Sequence, residues 1–112
     1  MTGATTTPWR KVPVVALVCS SGGLDAVTRI LGELPRDFAA AVIVLRHHDP
    51  HAPNRLAHIL GRQTALSVVP ASDGNRLVAG RVFVAPAGHH TLVTNDDTFT
   101  LIVHDAVRDH QP

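Results

Sequence analysis

The chain has 112 residues, of which 45% are hydrophobic and 17% charged, with a net charge of +1 and a single cysteine. That length suits one domain with a sizeable core, and no apolar run approaches the ~20 residues a membrane helix needs, so membrane insertion is not expected. An internal disulfide is ruled out, which agrees with a reducing compartment and a cytoplasmic address, and the absence of any Lys/Arg cluster gives no electrostatic footprint for nucleic acid.

In chain order, residues 1–11 (MTGATTTPWRK) are polar and Thr-rich without the apolar core of a secretory signal, and read as a flexible lead-in to a single domain over residues 12–112. Val12 to Val18 is β-branched and almost wholly apolar, the pattern of a strand covered on both faces. Cys19, Ser20, Ser21, Gly22 and Gly23 then form a turn, in which the two glycines supply the freedom to reverse direction. From Leu24, apolar residues at Ala26, Val27, Ile30, Leu31 and Leu34 recur at three- and four-residue spacing, predicting a helix with one buried stripe that Pro35 stops. Ala40 to Leu45 is a second apolar strand. Strand, helix and strand in about thirty residues make a right-handed βαβ unit with parallel neighbouring strands. The residues after those strands, Ser20 and His47, are therefore expected on one edge of the sheet.

Pro53 is expected in the first turn of a second helix that runs to about Arg62, with Leu56, Ile59 and Leu60 inward. Leu66 to Val69 predicts a short third strand, Asp73-Gly74 a turn, and Arg81 to Ala85 a fourth strand closed by Pro86. His90 to Thr94 and Thr98 to His104 alternate around Asn95-Asp96-Asp97, the pattern of a hairpin.

Two hydroxyls in a tight turn at a strand's carboxyl end suggest chemistry, because parallel α/β sheets place ligands there and the N–H groups of a helix start can hold an oxyanion. Serine becomes a competent nucleophile when a neighbouring base takes its proton, and histidine is the usual base, so Ser20 and His47 are the candidate catalytic pair. The bland alternative is that Ser20 and Ser21 cap the helix. Gly22 and Gly23 read as turn geometry rather than a phosphate cradle, since no Lys follows in the Walker pattern. Cys19 reads as a small buried filler. Eight histidines, among them His47, His48, His51, His89 and His90, invite a metal reading, but HExxH and cysteine pairs are missing and none is assigned a metal.

Val18-Cys19-Ser20-Ser21-Gly22-Gly23 resembles the G-A-S-T-G-G nucleophile turn of the protein-glutamate methylesterases of bacterial chemotaxis. Arg46-His47-His48 is similar to that family's Q-H-M, Ser72-Asp73-Gly74 to its acidic-Asp-Gly turn, and Ala85-Pro86-Ala87-Gly88-His89-His90 to its A-P-G-D-x-H. The four anchors fall in register and cover nearly all of the chain after residue 12. The resemblance implies a three-layer α/β fold with a mainly parallel, Rossmann-like sheet and a C-terminal β-hairpin, the first part of a methylesterase catalytic domain. It implies hydrolysis of glutamyl methyl esters on a methyl-accepting chemoreceptor, with Ser20 as nucleophile, His47 as base, N–H groups at the Ser21-Gly22-Gly23 turn as oxyanion donors, and no cofactor.

Two departures qualify that expectation. Val18 stands where the family has glycine, and no residue up to Pro112 matches the G-M-G-x-D-G motif that carries the family's triad aspartate. Weak or no esterase activity is therefore expected of these 112 residues, and the competing reading is a non-catalytic homologue that binds or assembles with another chain. The family's esterase domain often follows a receiver domain, which eleven lead-in residues are too few to supply, so control by one is expected to come from another chain or to be missing. An apolar edge after Val103, with self-association through it, is a further expectation.

Overall fold

The computed structural model of the chain describes residues 2–6, 12–19, 23–46, 53–86, 89–94 and 96–103. Among them the elements run β1 (Thr2–Thr6), β2 (Val14–Cys19), α1 (Leu24–Glu33), β3 (Ala41–Arg46), α2 (Pro53–Gly61), β4 (Ser67–Pro70), β5 (Arg81–Val84), β6 (His89–Val93) and β7 (Phe99–Val103). The first five strands form one sheet in the order β1-β2-β3-β5-β4, while β6 and β7 pair separately as an antiparallel hairpin. Strands β2, β3, β5 and β4 are mutually parallel, so the fold is the mainly parallel α/β architecture expected, with the hairpin in place.

The strand order explains where the layers lie. The path β2, α1, β3, α2, β4 steps across the sheet in one direction, and the return from β4 to β5 steps back between β3 and β4. Right-handed crossovers then require both helices on one face and the β4–β5 connection on the other. The core divides that way. Val27 and Leu31 of α1 and Leu56, Ala57 and Leu60 of α2 pack with Leu17, Val42, Val44, Val82 and Val84 on the helix face. Ala71 and Leu77 of the connection and Phe99 of the hairpin pack with Val14, Ala41, Ile43 and Phe83 on the opposite face. At the far end of the helices, the Thr64 hydroxyl donates to the Leu31 carbonyl at 2.8 Å and accepts from the Leu66 N–H at 3.2 Å. One side chain thus ties the last turn of α1 to the entry of β4, adding a second donor to a carbonyl that already accepts from the Leu34 N–H at 3.3 Å.

Three local expectations differ from what is observed. The loose lead-in predicted over residues 1–11 contains β1, which runs antiparallel to β2 from Thr2↔Cys19 to Thr6↔Val15. Its stabilisation comes from backbone pairing along an edge that would otherwise present unmet N–H and C=O groups, and β-branched threonine fits an extended backbone. In α1 the buried stripe passes through Val27 and Leu31, flanked by partly buried Leu24 and Leu34, while Ala26 and Ile30 face solvent. The first parallel strand is covered on both faces only in its amino-terminal part: Val14 and Leu17 are 5% and 1% exposed, but Val18 is 48% exposed. The expected apolar edge after Val103 lies outside the described residues.

The hairpin turn is built by its polar residues. The Asp97 N–H donates to the Thr94 carbonyl at 3.1 Å, the Thr94 N–H donates to the Thr98 carbonyl at 2.9 Å, and Asp97 sits at φ 60°. A bond from Asp97 back to Thr94 with Asp97 itself left-handed closes the hairpin tightly, and aspartate tolerates that conformation better than most. The Asp96 carboxylate accepts hydrogen bonds from the Thr94 and Thr98 hydroxyls, and these hold its carboxyl below the ordinary aspartate range. A depressed folded-state value means that Asp96 stabilises the turn above the ordinary range and that this contribution is lost as pH falls through the folded midpoint. Carboxyl NMR titration is expected to give Asp96 a midpoint below that of a free aspartate, and Asp96→Asn should remove that low-pH step from the stability curve; a midpoint at the free value would contradict this geometry.

Candidate active site at the carboxyl edge of the sheet

Three neighbouring parallel strands end almost level. Cys19, the last residue of β2, pairs with Arg46, the last of β3, and Val44 pairs with Val84, the last of β5. The Ala85 N–H continues the ladder to the Val44 carbonyl at 2.9 Å. The elements that follow these ends lie on opposite faces: α2, after β3, packs on the helix face, and the hairpin, after β5, contributes Phe99 to the other. Adjacent strands that exit to opposite faces open a crevice between them, and such crevices are where open α/β sheets bind ligands. By that rule the candidate position is between the ends of β3 and β5, with the end of β2 alongside.

The exit from β2 enters α1 through Gly23, a buried N-cap at φ −91° and ψ 4° whose carbonyl accepts from the Val27 N–H at 3.1 Å. That conformation is open to ordinary residues, so Gly23 is not there to supply a left-handed turn, which corrects the expectation for this position. As a cap it carries no side-chain oxygen, so the first-turn N–H groups of α1 receive no bond from the capping residue itself. Asp25 stands in that first turn and is exposed, a favourable placement for a carboxylate at the positive end of the helix.

Ser20, Ser21, Gly22, His47, His48 and His51 lie outside the described residues. His89 and His90 belong to β6. Among the described residues no three His, Cys, Asp or Glu side chains come together, and no helix is long and apolar enough to cross a membrane. Leu45 escaped the motif reading: it is the register partner of Val18 and half-buried beside it. Only the βαβ register reveals that pairing.

The CheB methylesterase family model matches residues 15–112, nearly all of the described fold and every motif along it. The chain belongs to the CheB methylesterase family. It is 35% identical over 100 residues to the protein-glutamate methylesterase FrzG of Myxococcus xanthus, covering 89% of this chain and 30% of that protein. It is 39% identical over 88 residues to a protein-glutamate methylesterase/protein-glutamine glutaminase of Symbiobacterium thermophilum, covering 79% of this chain and 24% of that one. Among solved structures, the CheB methylesterase catalytic domain of Thermotoga maritima superposes with a TM-score of 0.67 at 28% identity, over 80% of this chain and 47% of that one. The chain thus spans less than a third of the length of those two sequence relatives and about half of the solved CheB catalytic domain.

Proposed function

We propose that this chain carries the nucleophile-bearing part of a protein-glutamate methylesterase, acting in the cytoplasm on glutamyl methyl esters of a methyl-accepting chemoreceptor. The observation that carries the reading is the pairing of Cys19 with Arg46 at the ends of adjacent parallel strands. Ser20 and His47 are the next residues in the chain. Two peptide links of about 3.8 Å and an interstrand spacing of about 4.8 Å cap the Cα separation of residues 20 and 47 at roughly 12 Å, and separations of about 10 Å or less within that range let a serine hydroxyl and an imidazole meet.

In the proposed reaction the Ser20 hydroxyl oxygen attacks the ester carbonyl while His47 takes its proton. N–H groups at the Ser21-Gly22-Gly23 turn hold the oxyanion, and collapse expels methoxide, which His47 protonates to methanol. Water, deprotonated by His47, then attacks the acyl-serine; the Ser20 oxygen leaves and takes that proton back from His47, and the glutamate carboxylate is released. The residues up to Pro112 include no segment that matches the family's aspartate motif, so the 112-residue polypeptide is expected to turn over slowly. Val18, at the place where the family motif has glycine, favours the second reading of a non-catalytic binding or assembly module.

A fluorophosphonate probe separates the two. One phosphonyl adduct per chain by intact mass, lost in Ser20→Ala, is the expected result. No adduct at neutral or mildly alkaline pH would overturn the hydrolase reading in favour of the binding module.

A further inference from the structure

This inference rests on the reading of Ser20 and His47 just given and concerns which part of the ester the site selects. Residues two apart on a strand share a face. In β2, Leu17 packs in the helix-side core, so Val18 faces the other side, where it is 48% exposed although Leu17 before it is 1% exposed. Its register partner in β3, Leu45, is half-buried and packs against the core cluster on that same side. Its partner in β1 is Gly3, which has no side chain to cover it. The result is an apolar shelf of two side chains, one pair inward from Cys19 and Arg46. Val18 precedes Ser20 by two residues and Leu45 precedes His47 by two.

A lone exposed valine on a protein surface is ordinary. This one differs by its place: it lies on the strand that leads to the candidate nucleophile, in register with a leucine on the strand that leads to the candidate base. We propose that Val18, backed by Leu45, is a specificity-determining residue that receives the uncharged aliphatic part of the substrate next to the reacting carbonyl. A methylene or methyl group set on the shelf loses apolar surface to the protein, whereas a charged group there gives up hydration without a partner. Covering about half of a valine side chain corresponds to a preference of roughly five- to tenfold. The site therefore selects carboxylic esters with an uncharged alkyl flank over those with an ionised one.

The test uses two phosphonate probes of equal length, one ending in an alkyl group and the other in a carboxylate, and measures the rate of Ser20 phosphonylation with Ser20→Ala as background. The unmodified chain is expected to react about five to ten times faster with the alkyl probe, and Val18→Lys to invert that ratio. If Val18→Lys fails to fold by circular dichroism, Val18→Thr carries the comparison, with the alkyl preference reduced about two- to threefold. Labelling that depends on Ser20 but shows the same probe ratio in all folded variants overturns the role of Val18 and leaves the hydrolase reading intact. Absence of Ser20-dependent labelling by either probe overturns both.

Discussion

Replacing Phe83 by alanine is expected to destabilise the domain by about 3–5 kcal/mol, a large share of the ~5–15 kcal/mol that holds a domain of this size together. Phe83 is 1% exposed in the middle of β5, between Ile43 of β3 and Val69 of β4. Its ring meets that of Phe99 edge to face, with centroids 4.9 Å apart and planes at 62°. Phe99 is itself 1% exposed, so the pair is an apolar contact that fastens the hairpin to the sheet, beside Val93, which packs on the same cluster. The Gly74 N–H to Phe99 carbonyl bond and the Phe99 N–H to Asn75 carbonyl bond, both 2.8 Å, add a polar seam on the same residue. A double-mutant cycle of Phe83→Leu and Phe99→Leu should show a coupling of about 0.5–1.5 kcal/mol. Amide exchange in the hairpin should accelerate before that in β2 and β3, whose contacts with the helices do not pass through Phe83. Urea denaturation that shows a loss under ~1.5 kcal/mol for Phe83→Ala would contradict this placement.

His47→Gln is expected to slow phosphonylation of Ser20 by about 10²–10⁴-fold, the usual contribution of a positioned general base. Only the neutral ring of a histidine base accepts the serine proton, so labelling of the unmodified chain should rise with pH. That rise should vanish in His47→Gln, leaving a slow rate that increases only at strongly alkaline pH. A variant that labels at the unmodified rate, with the same pH profile, would remove His47 from the reaction while leaving Ser20 its nucleophile.

Much of the fold was legible because its core elements announce themselves by periodicity. β2 and β3 are short apolar runs, α1 lies between them with a three- and four-residue stripe, and a βαβ unit of that length permits parallel neighbours. The hairpin was legible for a different reason: Asn95-Asp96-Asp97 between alternating segments is turn chemistry, and Asp97 does adopt the left-handed conformation. β1 was not legible, because a Thr-rich polar segment has no hydrophobic signature and gains its stability from an edge elsewhere in the chain. Which residues of the expected α1 stripe turn inward was equally hidden. Ala26 and Ile30 are as apolar as their neighbours, and only the direction from which the sheet approaches sets them outward.

The placement of both helices on one face depends on β5 entering between β3 and β4, a non-local pairing that local spacing does not encode. The candidate site was legible as a position rather than as a geometry. The strand ends before Ser20 and His47 pair as the βαβ rule requires, whereas the exposure of Val18 and its alignment with Leu45 needed the register.

The proposed chemistry needs residues 20 and 47 to project into one cleft, and this can be measured without any catalysis. In a Cys19→Ser background, the Ser20→Cys/His47→Cys pair should be bridged by dibromobimane into a fluorescent intramolecular adduct, while a Ser20→Cys/Ser67→Cys control, with its second cysteine at the amino end of the edge strand β4, should not. Bridging of the 20/47 pair alone is the predicted result. Failure of that pair to bridge in folded protein, with both thiols reactive toward a monofunctional reagent, would contradict the shared cleft and the hydrolase built on it.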